Sequence, residues 1–394
     1  MSEKPTPEEI VGSHRIVVCV GTGGVGKTTV SAAFGMLAAR RGLRTLVLTI
    51  DPARRLADAL GIETLGNEPK RVRLPADALE AHGDIELHAM MLDPKGTFDG
   101  LIERFSPNED IQRQILDNPI YQHASGALSG SGEYAAMEKV LEMSESGDFD
   151  LVVVDTPPAQ HVLEFLDAPR RLVEFLDSRL VKLLVHPAMA AGRWSVRMFQ
   201  RPVQGALQLL ERVTGVGFLE DLSSFLLAID DLSDGFKSRA ARIESTLLGP
   251  QTAFVLVAGP SREATRNAGV FLDHLEDMRA RLRGVVINRI RQWPGEEPAA
   301  DALLRDEIPG AERRQLADAL GDANAADAVI DAVRDFACVA NQDTRNVEPL
   351  TRYAETNRCF FRRVPEQRRD VHDLDTLDQI TAALAHSEEK LASP

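Results

Sequence analysis

A glycine-rich segment, GTGGVGKT at 21–28, constrains the fold of this chain more than any other feature, because it matches the pattern G-x-x-x-x-G-K-[ST] in full. A β-branched run precedes it at 15–20, and a helical pattern follows at 27–41, with Gly42 as the stop signal. Glycines let consecutive backbone N–H groups turn towards phosphate oxygens, and the following helix directs its positive dipole end at the same anion. The segment therefore predicts a phosphate-binding loop that joins a strand to a helix.

Two side chains at the end of this loop indicate which phosphate ligand it binds. Lys27 places a cation at the β- and γ-phosphates of a nucleotide, and the Thr28 hydroxyl is suited to coordinate Mg²⁺. The first glycine, Gly21, ends the strand and starts the loop. We therefore predict that the chain binds a nucleoside triphosphate as MgATP, with ATP and Mg²⁺ as its cofactors.

Short apolar segments rich in β-branched residues recur along the chain, with helical patterns between them. The predicted strands are 15–20, 44–50, 85–92, 151–155, 252–258, 284–290 and 360–364. Strands that alternate with helices predict an α/β fold with a doubly wound, mainly parallel sheet. Together with the glycine-rich loop, this pattern predicts a P-loop NTPase fold.

Two long intervals lack a strand pattern and are interpreted as helical insertions, at about 95–147 and 160–248. The second contains several amphipathic segments and is predicted to form an inserted α-helical subdomain. Its apolar stripes either pack on the sheet or form a surface for a partner or client, and the sequence is compatible with both interpretations. An Ala/Asp-rich stretch at 296–340 predicts two surface helices.

Three polar residues, Asp51, Asp155 and Asn288, come at the ends of predicted strands. The carboxyl ends of parallel strands border the crevice where such sheets bind ligands. One carboxylate there can hold Mg²⁺ and the other can orient an attacking water, although either could instead cap the next helix. Asn288 offers a donor and an acceptor to an adenine edge, and its alternative role is that of a turn residue.

The overall charge and the cysteines narrow the function classes. With 45 Lys and Arg against 60 Asp and Glu, the formal net charge is −15, which disfavours binding to nucleic acid. Cys19, Cys338 and Cys359 are scattered and form no CxxC pair, as expected in a reducing compartment. Because we find neither a secretion signal nor an apolar stretch of about 18 residues, we expect a cytoplasmic protein without a membrane-spanning segment.

Four segments together resemble a known family, and they are GTGGVGKTTVSAA, TIDPARRLADALG, DTPPAQHVLEFLDAP and VVINR. In this order and spacing they look like the ArsA-type arsenite-pump ATPases and, equally, like the related ATPases that target tail-anchored membrane proteins. The resemblance covers 14–385, which we expect to form one ATPase domain between flexible tails at 1–13 and 386–394. The chain is most similar to the shorter, single-unit bacterial members, which occur as paired paralogues.

The resemblance implies roles for individual residues of this sequence. The residues implied to bind phosphate and Mg²⁺ are Gly23, Gly24, Val25, Gly26, Lys27, Thr28 and Thr29. Asp51, in the first switch segment, would polarise the hydrolytic water, and Asp155, in the second, would sense the γ-phosphate and Mg²⁺. Asn288 would read adenine, and Pro365 would belong to a loop that walls the base. The insertion at 160–248 corresponds to the region where targeting members bind client helices.

The sequence departs from the family pattern in three respects. Thr22 stands where the family's loop usually carries a second lysine, which reaches across a dimer to the partner's phosphates. No CxxC is present, so we expect no zinc, and no cysteine cluster exists for arsenite, which prefers several thiolates. The chain is one ATPase unit rather than the fused pump. We therefore expect slow hydrolysis by the chain alone, with Arg54 or Arg55 as candidate substitutes for the lysine.

Two hypotheses follow from the sequence. In the first, the chain is a dimeric switch ATPase, a homodimer or a heterodimer with a paralogue, whose nucleotide state exposes a helical surface to a hydrophobic or membrane-protein client. In the second, it is a weakly catalytic or non-catalytic ATP-binding subunit that depends on a paralogue. Partitioning and division-site ATPases share the loop but use basic patches or a membrane helix, and nitrogenase-type iron proteins use cluster cysteines. The sequence shows none of these features.

Overall fold

An eight-stranded sheet forms the centre of the fold. The structure, a computed structural model, describes residues 4–51, 53–73, 85–124, 131–157, 159–177, 216–293, 304–305, 308–367 and 374–385. The strands are β1 (Ile16–Gly21), β2 (Thr45–Thr49), β3 (Lys70–Arg71), β4 (Leu87–Met91), β5 (Leu151–Asp155), β6 (Thr252–Ala258), β7 (Leu282–Ile290) and β8 (Phe360–Pro365). Their order across the sheet is β3-β4-β2-β5-β1-β6-β7-β8.

The strand pairing confirms the predicted doubly wound, mainly parallel sheet. Every neighbouring pair is parallel except β3 with β4. Every residue of β1, β2, β5 and β6 is buried, as expected for strands with helices on both faces. The seven predicted strands lie where the sequence places them, within two residues at each end. The short, exposed β3 was not predicted, because two residues show no periodicity.

Helices cover both faces of this sheet. They are α1 (Pro7–Ser13), α2 (Lys27–Arg40), α3 (Arg55–Ala59), α4 (Pro94–Phe105), α5 (Glu109–Leu116), α6 (Pro119–Ala124), α7 (Ser131–Glu145), α8 (Ala159–Leu176), α9 (Val216–Leu247), α10 (Arg262–Asp277), α11 (Gly310–Leu320), α12 (Ala323–Thr356) and α13 (Leu374–Ala385). In β1, alternate residues enter two separate cores: Ile16 and Val18 enter one, and Val17 and Cys19 the other. This alternation follows from the pleat of a strand.

The first helix corrects the prediction of a flexible tail at 1–13. Residues 7–13 form α1, which begins with a capping box in which Thr6 and Glu9 satisfy each other's backbone N–H groups. Ile10 and Val11 are each 1% exposed and join the core that contains α2. The capping pattern and Pro7 at the start are signals that the sequence already carried. The predicted tail at 386–394 lies outside the described residues.

The predicted helical insertions are helical where the structure describes them. Helices α4 to α7 occupy the first predicted insertion and α8 and α9 the second, although α4 and α8 each begin one residue before the predicted bound. Residues 178–215 of the second lie outside the described residues. The buried carboxylate of Glu138 in α7 accepts from Nε of Arg239 in α9 at 2.7 Å, which ties these helices together. Among the residues described, we find no helix both long and apolar enough to cross a membrane.

The stretch at 296–340 contains α11 and the first half of α12. Residues 296–303 and 306–307 lie outside the described residues, so the number of helices in this stretch stays a prediction. The second of the two described helices runs on to Thr356. This helix continues because its later turns bury apolar residues such as Val347 and Leu350 in the core beside the sheet.

Candidate nucleotide site

The glycine-rich loop connects the end of β1 to the start of α2. Gly26 adopts a left-handed conformation with a φ of 85°, and a Cβ added there would lie 2.2 Å from Nδ2 of Asn288. Gly24 is also left-handed, with a φ of 77°. Both positions therefore favour glycine, which alone adopts this region at no steric cost, and Gly26 also lacks the room for a side chain.

Lys27 holds its cation within the loop rather than in solvent. The residue is 7% exposed, and its Nζ donates to the carbonyl oxygens of Gly21 and Thr22, at 3.0 Å in each case. Burial lowers the pKa of Lys27, and the carboxylates of Asp155 and Asp51 act in the opposite direction. An anion in the loop would offer this ammonium charged acceptors in place of neutral carbonyls, and hydrogen bonds to charged acceptors are stronger.

Asp155, the last residue of β5, is only 1% exposed. The Thr49 hydroxyl donates to its Oδ2 at 2.9 Å, and the Ser31 hydroxyl donates to its Oδ1 at 3.5 Å. Burial raises the pKa of Asp155 to about 6, although the hydroxyls of Thr28 and Thr49 oppose the rise. A carboxylate that is buried among hydroxyl groups gains more than an exposed one from a cation placed beside it.

Asp51 follows β2 and makes two local contacts. Its Oδ1 accepts from the backbone N–H of Ala53 at 2.9 Å, and its Oδ2 lies 3.2 Å from Nη1 of Arg55. The contact with Ala53 is the kind of turn that precedes a helix, which is the local role that the sequence left open. The side chain also borders the cavity beside the loop, so Asp51 has this turn contact and a position at the cavity in the same conformation.

One cavity of about 440 Å³ brings together most of the predicted site residues. Those that line it are Gly23, Gly24, Gly26, Lys27, Thr28, Thr29, Asp51, Asn288 and Pro365. The other three lie just behind: Gly21 and Val25 offer carbonyl oxygens to Lys27 and Asn288, and Asp155 contacts the Thr28 hydroxyl. Residues so distant in sequence meet because they follow the carboxyl ends of neighbouring parallel strands.

Asn288 lies within β7 and joins this strand to the loop. It is 4% exposed, and its Nδ2 donates to the carbonyl oxygen of Val25 at 2.8 Å. Arg289 follows with a φ of 59°, at a register shift between β7 and β8. Pro365 ends β8 and borders the cavity beside Asn288. Asn288 is therefore a strand residue that supports the loop, rather than the turn residue that was its alternative.

The oxygen donors at the loop suit a hard cation. Within the described ranges, no group of three or more His, Cys, Asp or Glu side chains is arranged to hold a metal ion. Mg²⁺ does not need such a group, because it is usually held by one or two protein oxygens, phosphate oxygens and water. The Thr28 hydroxyl and the Asp155 carboxylate supply donors of this kind.

Comparison with known families assigns the sequence to one of them. A family model described as anion-transporting ATPase matches residues 14–299, which is more than half of the chain. The chain belongs to the anion-transporting ATPase family. The ArsA-type resemblance of its four sequence segments is therefore confirmed, and with it the membership of a family of ATPases that bind nucleotide.

Eukaryotic relatives are similar to this anion-transporting ATPase family member over part of their length. The ATPase GET3 of Malassezia globosa is 30% identical over 177 residues, 44% of this chain and 49% of its own length. The ATPase get3 of Aspergillus terreus is 30% identical over 183 residues, 46% of this chain and 50% of its own. The ATPase ASNA1 homologue of Trypanosoma cruzi is 26% identical over 319 residues, 76% of this chain and 80% of its own. The chain thus spans about half the length of the two fungal relatives.

Sequence reasoning missed three hydroxyl residues at this site in the family member. Thr49 and Ser31 donate to Asp155, and Thr156 donates to the carbonyl oxygen of Cys19 at 2.8 Å while bordering the cavity. Ser31 lies one helical turn after Lys27, so its position on the same helix face could have been inferred. In the sequence, Thr49 is one more β-branched residue in a predicted strand, and no pattern indicates that it belongs to the site.

Proposed function

We propose that this chain binds and hydrolyses MgATP and acts as a switch between nucleotide states. The observation that carries the proposal is the single cavity lined by the glycine-rich loop, Lys27, Asp51, Asn288 and Pro365. It combines a cation, a carboxylate and a strand-end amide around a loop whose backbone favours phosphate. Membership of the anion-transporting ATPase family supports the same activity.

Each of the residues at the site has a separate role in this reaction. The loop backbone and Lys27 bind the β- and γ-phosphates, and Thr28 and Asp155 would hold Mg²⁺. When bound, Mg²⁺ supplies positive charge against the phosphate oxygens. Asp51 accepts a hydrogen bond from the attacking water and orients it in line with the γ-phosphate. The side-chain amide of Asn288 faces the adenine, and the backbone at Pro365 forms a wall beside it.

Replacement of Lys27 tests the proposal most directly. Lys27→Ala removes a charge-assisted contact to phosphate that is worth about 1.5–3 kcal/mol, so the affinity for MgATP should fall by roughly ten- to a hundredfold. Isothermal titration calorimetry with a non-hydrolysable ATP analogue measures this change. Lys139→Ala is the matched control, since Lys139 is also a mostly buried lysine but pairs with Glu142 on α7. An unchanged affinity in Lys27→Ala would refute nucleotide binding at this loop.

We further propose that residues 14–385 act as one ATPase domain. This domain works within a dimer, which is either a homodimer or a heterodimer with a paralogue. The helical insertion presents a surface to a hydrophobic or membrane-protein client. Phe175, near the end of α8, is the residue that we assign to this surface, because it is large, apolar and 41% exposed. Earlier on α8, Phe165 and Leu166 are buried in the core that reaches β1 and β5, the strands beside the loop.

An apolar client surface that responds to nucleotide should be detectable with an environment-sensitive dye. We expect anilinonaphthalene sulfonate fluorescence to differ between the nucleotide-free, ADP-bound and ATP-locked states, because a switch changes the accessible apolar area. Phe175→Ser should reduce the difference, while Phe336→Ser, at an equally exposed phenylalanine of α12, should not. Equal fluorescence in all three states would show that the apolar stripes of the insertion serve the core alone.

A second candidate function is that of a weakly catalytic ATP-binding subunit which depends on a paralogue. Thr22 is the observation that favours it, because a neutral residue occupies the loop position where the family usually carries a lysine. The two candidates differ in the turnover of the purified chain alone.

A further inference from the structure

The hydroxyl of Thr49 forms hydrogen bonds with both aspartates of the site. Thr49 is the last residue of β2, is 1% exposed, and is paired in register with Asp155 on β5. Its Oγ1 donates to Oδ2 of Asp155 at 2.9 Å and accepts from the backbone N–H of Asp51 at 3.3 Å. A hydroxyl has one proton, so donation to the carboxylate leaves its lone pairs to accept the N–H. The hydrogen bonds therefore run in one direction, from Asp51 through Thr49 to Asp155.

The surrounding backbone fixes where this hydroxyl can be. The N–H of Ile50 donates to the carbonyl oxygen of Asp155 at 3.2 Å, and the N–H of Leu92 donates to that of Thr49 at 3.0 Å. β2 is thus held by neighbours on both sides up to the point where the chain turns into the Asp51 segment. Because the strand cannot shift easily, a displacement of the Asp155 carboxylate must strain or break a hydrogen bond of Thr49.

The chain beyond this point is less constrained. Among the described residues, the Asp51 side chain makes polar contacts with the N–H of Ala53 in its own turn and with the exposed Arg55 only. The N–H of Asp51 is the backbone group that links this segment to the end of the sheet through Thr49. The position of the Asp51 carboxylate therefore depends on a hydroxyl that also holds Asp155.

We propose that Thr49 is a positioning residue which couples the Asp155 carboxylate to the backbone at Asp51, so that cation binding at Asp155 and placement of Asp51 beside the attacking water occur together. The inference rests on the proposed function and names the residue through which the two switch segments communicate at this site. Thr49 acts through the two aspartates, by way of a single hydroxyl oxygen.

Thr49→Val tests this role, because valine has the same shape and strand preference but no hydroxyl. We expect the Mg²⁺ concentration for half-maximal turnover to rise about tenfold and kcat to fall about tenfold, as for other residues that orient a metal ligand. The KM for ATP at saturating Mg²⁺ should change little, since the loop and Lys27 are intact. Thr49→Ser keeps the hydroxyl and should restore most of what valine loses.

Thr45→Val is the matched control on the same strand. Thr45 is also fully buried, and its hydroxyl donates to the carbonyl oxygen of Leu43 at 2.9 Å, at the opposite end of β2 from the site. Loss of this hydroxyl should lower the melting temperature without altering the Mg²⁺ dependence. The pair of valine variants thus separates the loss of a buried hydrogen bond from the loss of coupling.

Two measurements do not depend on turnover. Binding of a non-hydrolysable ATP analogue, titrated by calorimetry at several Mg²⁺ concentrations, should need about tenfold more Mg²⁺ in Thr49→Val. Hydrogen exchange at the Asp51 amide of the nucleotide-free protein should be faster in Thr49→Val than in the wild type or Thr45→Val, because the amide has lost its acceptor.

The inference is overturned if Thr49→Val keeps the wild-type Mg²⁺ dependence and amide exchange. It is equally overturned if Thr49→Ser is as impaired as Thr49→Val, since a hydroxyl at this position would then not be enough to restore the coupling. The wild-type measurements separate this failure from that of the proposed function. Wild-type protein that neither binds nor hydrolyses MgATP would overturn the proposed function and the coupling together.

Discussion

Asp51→Asn should lower kcat for ATP hydrolysis by about a hundredfold or more while leaving ATP affinity nearly unchanged. A carboxylate that orients or accepts a proton from the attacking water typically contributes a factor of about 10²–10⁴ to the rate, and an amide supplies neither charge nor basicity. Asparagine can still accept from the N–H of Ala53 through its own oxygen, so the local turn should persist. Only the ion pair with Arg55, on the surface, is lost, and such a pair contributes little to stability.

Asp93→Asn is the control that isolates the turn role. Asp93 follows β4 as Asp51 follows β2, and its Oδ1 accepts from the N–H of Gly96 at the start of α4, at 3.1 Å. Asparagine caps helices about as well as aspartate, so this variant should hydrolyse ATP at the wild-type rate. The measurements are steady-state phosphate release and calorimetric binding of an ATP analogue. If Asp51→Asn also turned over at the wild-type rate, Asp51 would be a turn residue like Asp93.

Thr22→Lys should raise the turnover of the purified chain by about 10³-fold if the protein alone forms a dimer across this loop. A cation supplied to the transferring phosphate is worth about 10³–10⁵ in rate in other phosphate-loop enzymes, and a threonine hydroxyl supplies none of that charge. Thr22 is half-buried, and its carbonyl oxygen accepts from Lys27, which the substitution leaves in place. Thr22→Met, in which the side chain is similar in length to lysine but uncharged, should stay at the wild-type rate.

The rival explanation is that an arginine beside Asp51 already supplies the charge. Arg55 pairs with Asp51 of its own chain at 3.2 Å in this structure, so it would have to leave that carboxylate to act elsewhere. Turnover of Arg54→Ala/Arg55→Ala, measured at several protein concentrations, separates the two explanations. Brisk turnover by the lone wild-type chain that survives the loss of both arginines would refute the slow-homodimer prediction. Activation by a paralogue that carries the lysine would support a heterodimer.

The sheet was predictable because its strands are continuous apolar runs, and buried parallel strands have this pattern whatever their neighbours are. The phosphate loop was predictable because each of its residue types answers a separate chemical requirement at a fixed spacing. By contrast, the contact of the Thr49 hydroxyl with Asp155 depends on which strands are neighbours. β2 and β5 are adjacent in the sheet although 106 residues separate each pair of facing positions, and no local pattern indicates such an adjacency.

The first helix was missed for a different reason. A polar and acidic segment suggests a tail when judged by composition, yet the spacing of Thr6 and Glu9 is a helix-start signal. Its apolar residues Ile10 and Val11 are buried where α1 packs against α2. Composition averages over a segment, whereas docking depends on a few positions within it.

The position of the helical insertion within the sheet order has a consequence for how proteins of this kind diversify. The chain leaves β5 and re-enters at β6, and these two strands flank β1, which ends in the glycine-rich loop. A crossover between parallel strands needs only about a dozen residues, whereas this one occupies 156–251. The sheet thus sets a minimum length for the crossover but no maximum, so insertions and deletions there leave the strand register intact. The length and sequence of this crossover can then change in evolution while the residues at the strand ends keep their positions.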